Sequence, residues 1–434
     1  VGSEGTLAFL SEVTMKTEHD YPYSASAMLY FSNIKDACRA VVAMKPGPVF
    51  SAELLDKKSL ASVNDTTGTD LTAVLTETKA DTPEELQANI EEIKKILSPF
   101  ETVTPIHFTD KPEEYSKYWA IRSGIFPSVG GTRRPGTTVL IEDVAFPLKE
   151  LPEATADLQE LLVTNEYHDA CIYGHALEGN FHFIISQSFD SPEQVARYEK
   201  LMDEVKTLVV DKYDGSLKAE HGTGRNMAPF VKYEWGERAY GFMKAVKELF
   251  DPKGLLNPGV IFNEDPHCHL KHFKPMPLTN AHVDKCIECG FCEVNCLTCG
   301  FSLSSRQRIV IQREISRLKK LSDTESSERL KTLQKQYKYL GNATCAGDGL
   351  CSMSCPMGIN VGDLTHDIRQ ANLPEKSIGY KTGDFVANHF AETKSALRPV
   401  LYLANMAHNM LGDKVMSSIG QGLHQIGVPL WTPS

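Results

Sequence analysis

A group of closely spaced cysteines constrains this chain more than any other feature of its sequence. The run from Cys286 to Cys296 has the spacing C-x2-C-x2-C-x3-C. Three thiolates on one tight loop can hold three corners of a cubane iron–sulfur cluster, whereas the fourth, one helical turn later, points at a neighbouring cluster. Eight of the 11 cysteines lie between Cys286 and Cys355. Without a secretory signal pattern, such clustering favours metal ligation over disulfides.

A second cysteine group keeps this frame but has Asp348 where the middle cysteine would be, and it ends in Cys355-Pro356. Three interpretations are open: Asp348 is an oxygen ligand, Cys299 substitutes for it, or the site holds a three-iron cluster. Crossed ligation gives two predicted clusters of the 4Fe-4S type. The first set is Cys286, Cys289, Cys292 and Cys355, and the second is Cys296, Cys345 and Cys351.

The alternative for these cysteines is a zinc ribbon or knuckle, because thiolates also bind zinc tetrahedrally. Structural zinc sites usually use separated cysteine pairs, so the x2-x2-x3 spacing favours iron–sulfur clusters. Cys38 and Cys171 stand alone in apolar surroundings and are predicted to be core thiols.

Charge and hydropathy exclude two broad classes of protein. The formal net charge of −11 argues against a nucleic-acid binder, which needs a dominant basic face. No apolar run is long enough to span a bilayer, so the expected location is cytoplasmic or peripheral on the inner membrane face.

The order of β-like and helix-like segments predicts an α+β domain over residues 21–265, with a sheet covered by helices. Residues 266–280 are rich in Pro, His and Lys and are predicted to be a linker. Residues 281–375 are expected to be mainly helical, and residues 376–434 to be a helical connector. The predicted strands are 26–31, 70–77, 138–144, 170–173 and 181–187, and the predicted helices are 33–44, 83–97, 147–165, 192–213 and 306–339.

Histidines and one glutamate suggest a second site within the α+β domain. His175 and His182 bracket a Gly-containing turn between two β-like runs, and Glu220-His221 lies beside two glycines. Together they offer a two-His, one-carboxylate set for a divalent ion with an open position, and a spare histidine as base. The alternative is a group of hydrogen-bonded structural histidines. Arg122 and the Arg133-Arg134 pair are candidates for binding a substrate carboxylate, although a surface arginine is the favoured explanation for Arg133 and for Arg134 individually.

Several motifs together resemble the FAD-linked oxidases of the vanillyl-alcohol-oxidase type, in the branch of D-lactate dehydrogenase, glycolate oxidase flavin subunit and D-2-hydroxyglutarate dehydrogenase. They are residues 1–7, 173–182, 219–224 and 251–259, and the cysteine region resembles the module fused to iron–sulfur members. The resemblance implies that residues 1–20 close the FAD-binding domain with a strand, and that residues 21–265 form a substrate (cap) domain with an antiparallel sheet. It also implies a two-cluster, ferredoxin-like domain at 281–375, with FAD held mostly by a domain preceding Val1 and a further region beyond Ser434.

The resemblance assigns roles to the site residues. His175, His182 and Glu220 would hold a divalent metal, with zinc as the first candidate, and His221 would take the hydroxyl proton while hydride leaves C2 for the flavin. Arg122 would hold a carboxylate, and Asn180 and Asn257 would lie near the flavin or the substrate. The family's Gly-Asp-Gly-Asn segment is Leu-Glu-Gly-Asn here, which leaves the role of Glu178 open.

The expected function is oxidation of a D-2-hydroxy acid such as D-lactate, D-2-hydroxyglutarate or glycolate. Electrons would pass through the clusters to a quinone, a cytochrome or another carrier. The Arg133-Arg134 pair favours a dicarboxylic acid. The alternative is an electron-relay and interaction module whose catalytic subunit lies elsewhere.

Overall fold

The computed structural model describes residues 3–63, 71–373 and 377–425. It has two compact units, Val1–Thr365 and His366–Ser434. The first unit contains the α+β domain and all the cysteines, and the second is helical.

An antiparallel sheet of six strands organises the first unit and confirms the predicted α+β class. The strands lie in the order β1-β3-β2-β5-β6-β4. Five of them match predicted runs, although Asp70 lies outside the described residues. The prediction missed β2, because a short segment containing Ala and Glu becomes a strand only between β3 and β5. The strands are β1 Tyr23–Phe31, β2 Ser51–Leu55, β3 Thr72–Ala80, β4 Thr138–Ala145, β5 Cys171–His175 and β6 Asn180–Gln187.

Helices cover both faces of this sheet. The predicted helix start at Thr82 is confirmed, since its side chain accepts a hydrogen bond from the Glu85 N–H at 3.1 Å. Three of the seven helices, α2, α4 and α7, were not predicted. The seven are α1 Ile34–Met44, α2 Lys57–Ser62, α3 Pro83–Leu97, α4 Pro112–Thr132, α5 Leu151–Thr164, α6 Pro192–Lys206 and α7 Val231–Phe250.

Alternation along the strands divides the core into two layers. In β3, Val74 faces the larger layer with α1, α3, α5 and α6, whereas Leu75 faces the layer under α2 and α4. Tyr173 and Ile125 also belong to that second layer, which therefore packs α4 directly on the sheet. This contact positions α4 beside the candidate site.

The cysteine region consists of short helical turns around longer helices. The predicted helix at 306–339 is two helices, α8 Ser305–Leu318 and α9 Thr324–Tyr337, because Asp323 caps a new helix by accepting from the Ser326 N–H at 2.8 Å. Short 3-10 helices at Phe291–Asn295 and Leu350–Ser352 carry cysteines, and α10 spans Val361–Ala371. The second unit contains α11 Ile378–Asn388 and α12 Phe390–His424, and α12 kinks at Gly412, whose φ is 75°.

The strand expected in residues 1–20 is absent from the described part of that segment, residues 3–20. A strand needs a hydrogen-bonded neighbour, and no described strand pairs with this segment. Residues 1 and 2 lie outside the described residues. Within the described residues, no helix combines the length and the apolar character needed to cross a bilayer.

Candidate functional site

The hairpin of β5 and β6 brings His175 and His182 together. Tyr173 pairs with His182 across the two strands, so the ring of His175, at the end of β5, meets the ring of His182 on β6. His175 Nε2 lies 3.0 Å from Glu220 Oε1, and His182 Nε2 lies 3.1 Å from the same oxygen. Two imidazole nitrogens therefore converge on one carboxylate.

Glu53, which the sequence did not single out, lies behind His175. It is on β2 and only 5% exposed. Its Oε1 lies 2.6 Å from His175 Nδ1, and its Oε2 accepts from Arg122 Nε at 2.8 Å. Burial alone would raise the pKa of Glu53, but the hydrogen bonds from His175 and Arg122 hold it below its ordinary value. The hydrogen bond with Glu53 in turn raises the pKa of His175.

His182 is buried, and its pKa is shifted in the opposite direction to that of His175. Burial, assisted by the nearby His221 and His175, lowers its pKa to about 4. Its Nδ1 atom is buried and has no hydrogen-bond partner among the described residues. A neutral imidazole is the form that binds a metal ion.

Asp143, also missed from the sequence, holds the segment that carries Glu220 and His221. Its Oδ2 accepts from three successive backbone N–H groups, those of Ala219 at 3.1 Å, Glu220 at 2.6 Å and His221 at 3.0 Å. Asp143 is 2% exposed, on β4 opposite His182. One buried carboxylate therefore fixes the backbone of two site residues.

The His221 ring lies flat against that of His182, with centroids 4.7 Å apart and planes 3° apart. Its Nδ1 is 4.0 Å from Asp143 Oδ1, and its Nε2 is 3.9 Å from Glu220 Oε1. The side chain is 39% exposed, so a small molecule can reach it.

Glu4 stabilises the turn that follows His221 by hydrogen bonds. Its carboxylate accepts from the backbone N–H groups of Thr223 and, at 2.8 Å, Gly224. Gly222 has a φ of 78°, and a Cβ there would lie 2.8 Å from the Glu4 carboxyl carbon, so glycine is required on both counts.

The donor set suits a divalent ion. The ligand atoms of His175, His182 and Glu220 lie within 4.8 Å of one another, and so do those of a second triad, Asp143, His182 and His221. Imidazole nitrogen with carboxylate oxygen is the donor chemistry of zinc and related ions. Because Asp143 Oδ2 already accepts three N–H groups, the first triad has the freer carboxylate.

Four other predicted residues have distinct surroundings. Arg122 stacks on the Tyr173 ring at 4.7 Å, and its two terminal nitrogens have no hydrogen-bond partner among the described residues. Asn180 is 7% exposed with an unpaired Oδ1. Asn257 is exposed and donates to the Glu4 carbonyl at 2.7 Å. Glu178 accepts from Lys45 at 2.7 Å, a surface ion pair.

All 11 cysteines are free thiols, and those of the first predicted set are neighbours. Burial raises the pKa of Cys292, and the nearby Cys355, Cys351 and Cys289 add to the rise. Cys286 Sγ accepts from the Glu288 N–H at 3.3 Å. Backbone N–H donors to sulfur are typical of iron–sulfur sites, so these residues fit a cluster.

The second set lines a small recess, which Asp348 also lines. Burial raises the pKa of Cys351, and Cys345 and Cys296 add to the rise. The Val361 N–H donates to Cys351 Sγ at 3.4 Å. Cys299 is exposed and is not among the residues that line the recess.

Arg133 does not serve the substrate role suggested by the sequence. It is 6% exposed and donates to the carbonyl oxygens of Lys285 at 2.9 Å, Cys286 at 3.0 Å and Asp284 at 3.4 Å. Its remaining donors meet the carbonyls of Gly130 and Thr137. The inference of a second substrate carboxylate was therefore wrong for Arg133, because its guanidinium is occupied by backbone oxygens.

Two protein-family models match the chain. Residues 22–261, more than half of it, match FAD linked oxidases, C-terminal domain. Residues 282–359 match the 4Fe-4S dicluster domain. These families imply FAD and iron–sulfur clusters as cofactors and disfavour the zinc ribbon.

Curated relatives match more than half of the chain. It is 30% identical to the mitochondrial D-lactate dehydrogenase [cytochrome] of Arabidopsis thaliana over 281 residues, which are 62% of this chain and 47% of that protein. It is 25% identical to the glycolate oxidase subunit GlcD of Bacillus subtilis over 271 residues, 61% of this chain and 56% of that protein. The chain thus spans about half the length of these relatives.

Among solved structures, p-cresol methylhydroxylase with bound substrate matches with a TM-score of 0.41 and 15% identity. The match covers 56% of this chain and 53% of that one.

Proposed function

Because this chain belongs to the FAD-linked oxidase family, whose C-terminal domain it contains, we propose that it binds the substrate and relays the electrons in a flavoprotein dehydrogenase for a D-2-hydroxy acid. The observation that carries the proposal is the convergence of His175 and His182 on one oxygen of Glu220. The ring of His221 lies against that pair, which supports a base beside a metal ion.

His175, His182 and Glu220 would hold the divalent ion. With the ion bound, Glu53 would accept the Nδ1 proton of His175, which would leave the Nε2 lone pair for the ion. When bound, the ion supplies Lewis-acid polarisation of the hydroxyl and carboxylate oxygens of the substrate.

His221 would take the hydroxyl proton at Nε2, the nitrogen nearer Glu220. Asp143 fixes the backbone of His221 and lies near its Nδ1, so it orients the base. FAD, held mostly by the nucleotide-binding domain that the family places before this region, supplies a hydride acceptor when bound.

Arg122 would bind the substrate carboxylate. Glu53 and Tyr173 hold its Nε and its guanidinium face, and the two terminal nitrogens remain for a planar, two-point contact. Asn180 and Asn257 would lie near the flavin or the substrate.

The two crossed cysteine sets would hold the clusters. Because Asp348 lines the recess with Cys296, Cys345 and Cys351, and Cys299 does not, we infer that Asp348 completes the second set. Electrons would leave to a quinone, a cytochrome or another carrier, in the cytoplasm or at the inner membrane face. Rapid peroxide formation by the flavin-containing protein, with no reduction of any such carrier, would contradict this exit.

His221→Ala in the flavin-containing protein tests the proposal. We expect flavin reduction by D-lactate, glycolate or D-2-hydroxyglutarate to slow by about 10²- to 10⁴-fold, as for loss of a general base, with zinc and iron retained. His168→Ala, at an exposed position on the same domain, is the control and should leave the rate unchanged. An unaltered rate in His221→Ala would instead favour an electron relay whose catalytic subunit lies elsewhere.

A further inference from the structure

The helix α4 reaches the candidate metal site with its middle. Arg122, within α4, donates to Glu53, and Glu53 contacts His175. Arg133 follows the end of the same helix. The ten residue steps from Arg122 to Thr132 span about 15 Å at the rise of an α-helix. The last three turns of α4 therefore begin at the candidate metal site.

The other end of these turns meets both peptide segments of the first cysteine set. A Cβ on Gly130 would lie 2.5 Å from Cγ2 of Ile287, which lies between Cys286 and Cys289. A Cβ on Gly131 would lie 2.9 Å from Sδ of Met357, two residues after Cys355. The missing side chain at Gly130 lets the helix approach Ile287 closely, and the missing side chain at Gly131 leaves room for the end of the Met357 side chain.

Arg133 adds hydrogen bonds at this contact. All five of its hydrogen bonds go to carbonyl oxygens, and three of those carbonyls belong to residues 284–286. Arg313, from α8, donates to two of the same carbonyls, those of Asp284 at 3.2 Å and Cys286 at 2.9 Å. Arg313 is paired with Glu288, whereas Arg133 has no carboxylate partner among the described residues. Its positive charge interacts with the Cys286 thiol and also with the carboxylates of Glu288 and Asp284.

Among the described residues, the second cysteine set has no such link to α4. All residues that line its recess lie between Asn295 and Gly362. A different buried arginine, Arg308, serves this set, and its Nη1 donates to Cys296 Sγ at 3.6 Å. The α+β domain thus contacts the segments of the first set directly.

We propose that Arg133 is a positioning residue that fixes the Cys286 loop on α4, so that the first set holds the cluster that takes electrons from the flavin. This proposal rests on the proposed function. The two electrons that arrive on FAD as hydride leave one at a time, and the flavin proton passes to solvent. Each electron would pass to a cluster held by the first set, then to one held by the second set and then to the external carrier, so that both clusters would return to their oxidised state.

The test compares Arg133→Gln with Arg308→Gln in the flavin-containing protein. A nearby positive charge stabilises the reduced cluster, so each change should lower the potential of its own cluster only. We expect about a tenfold change in the reduced-to-oxidised ratio at fixed potential, equivalent to about 59 mV for one electron. Electron paramagnetic resonance during a redox titration identifies the two signals, and freeze-quenching after flavin reduction shows which appears first.

The proposal requires that the signal shifted by Arg133→Gln appears first. It is overturned if the signal shifted by Arg308→Gln appears first, or if Arg133→Gln shifts neither signal. Arg133→Lys keeps the positive charge, so its cluster potential should stay close to that of the wild type. Simple misfolding would instead change the potential and the iron content of both Arg133→Gln and Arg133→Lys. If no 2-hydroxy acid reduces the flavin, the proposed function fails, but photoreduction of the bound flavin still decides the order of the clusters.

Discussion

Glu53→Gln should weaken zinc binding without removing any ligand of the ion. The carboxylate uses one oxygen for His175 and the other for Arg122. Glutamine has one acceptor oxygen only. If that oxygen faces His175, the amide N–H₂ meets the donor Nε of Arg122. If it faces Arg122, His175 must accept at Nδ1 and carry its proton on Nε2, which removes the lone pair from the metal side.

Both orientations cost binding energy. Replacing a partner that orients a ligating histidine typically costs about 10- to 100-fold in metal affinity, or about 1.4–2.8 kcal/mol at 1.4 kcal/mol per factor of ten. We expect the larger value, because Glu53 is buried and neither orientation of the glutamine amide satisfies both His175 and Arg122.

The assay is competition for zinc between metal-stripped protein and a chromophoric chelator. Glu77→Gln is the matched control, since Glu77 is a partly buried glutamate on β3 of the same sheet, bound to Ser51 and Lys79 instead of the site. Wild-type affinity in Glu53→Gln would refute the His175 ligand set. An equal loss in both variants would assign the effect to the sheet as a whole.

Three further predictions concern contacts outside the metal-ligand triad of His175, His182 and Glu220. Asp348→Cys should keep about eight iron per chain by elemental analysis and change the paramagnetic signal of the second cluster only, whereas about seven iron in the wild type would favour the three-iron alternative. Gly130→Ala should lower the melting temperature because its Cβ would lie 2.5 Å from Ile287, and Ile287→Ala in the same chain should restore it; a stabilised single variant would contradict the close contact. Burial raises the pKa of Asp56 to about 6 from an ordinary 3.8, so the stability it contributes is complete below about pH 4 and is lost as pH rises through 6. Asp56→Asn keeps the acceptor for the Ser59 N–H. Denaturant unfolding should find the variant roughly 1–3 kcal/mol more stable than the wild type near pH 8 and equally stable near pH 4. A stability difference that does not depend on pH would exclude the charge of Asp56 as its cause.

The residues that the sequence identified are those whose chemistry shows in local spacing. Cys286, Cys289 and Cys292 share one loop, and His175 and His182 share one hairpin, so their proximity follows from short-range geometry. Glu220 was paired with them by residue type and resemblance, and the structure brings it to both rings.

The residues that were missed depend on long-range contacts. Glu53 is an acid in a short strand that looked unsuited to burial, and its partners lie on α4 and β5. Asp143 acts through three N–H groups more than 70 positions away. Arg133 looked like a surface or substrate arginine because its carbonyl partners, some 150 positions later, carry no signature in the sequence. Backbone acceptors cannot be predicted from residue types.

The placement of Trp119 within α4 has an optical consequence. Its indole N–H donates to Ser26 Oγ at 3.3 Å, so the ring is anchored on β1, three residues before Arg122 on α4. Of the three tryptophans, Trp235 is half exposed on α7, and Trp431 lies outside the described residues. Iron–sulfur clusters absorb where tryptophan emits, so energy transfer to a nearby cluster should quench Trp119. Emission from this ring therefore offers an unlabelled, real-time signal of whether the Cys286 loop is loaded and docked on α4.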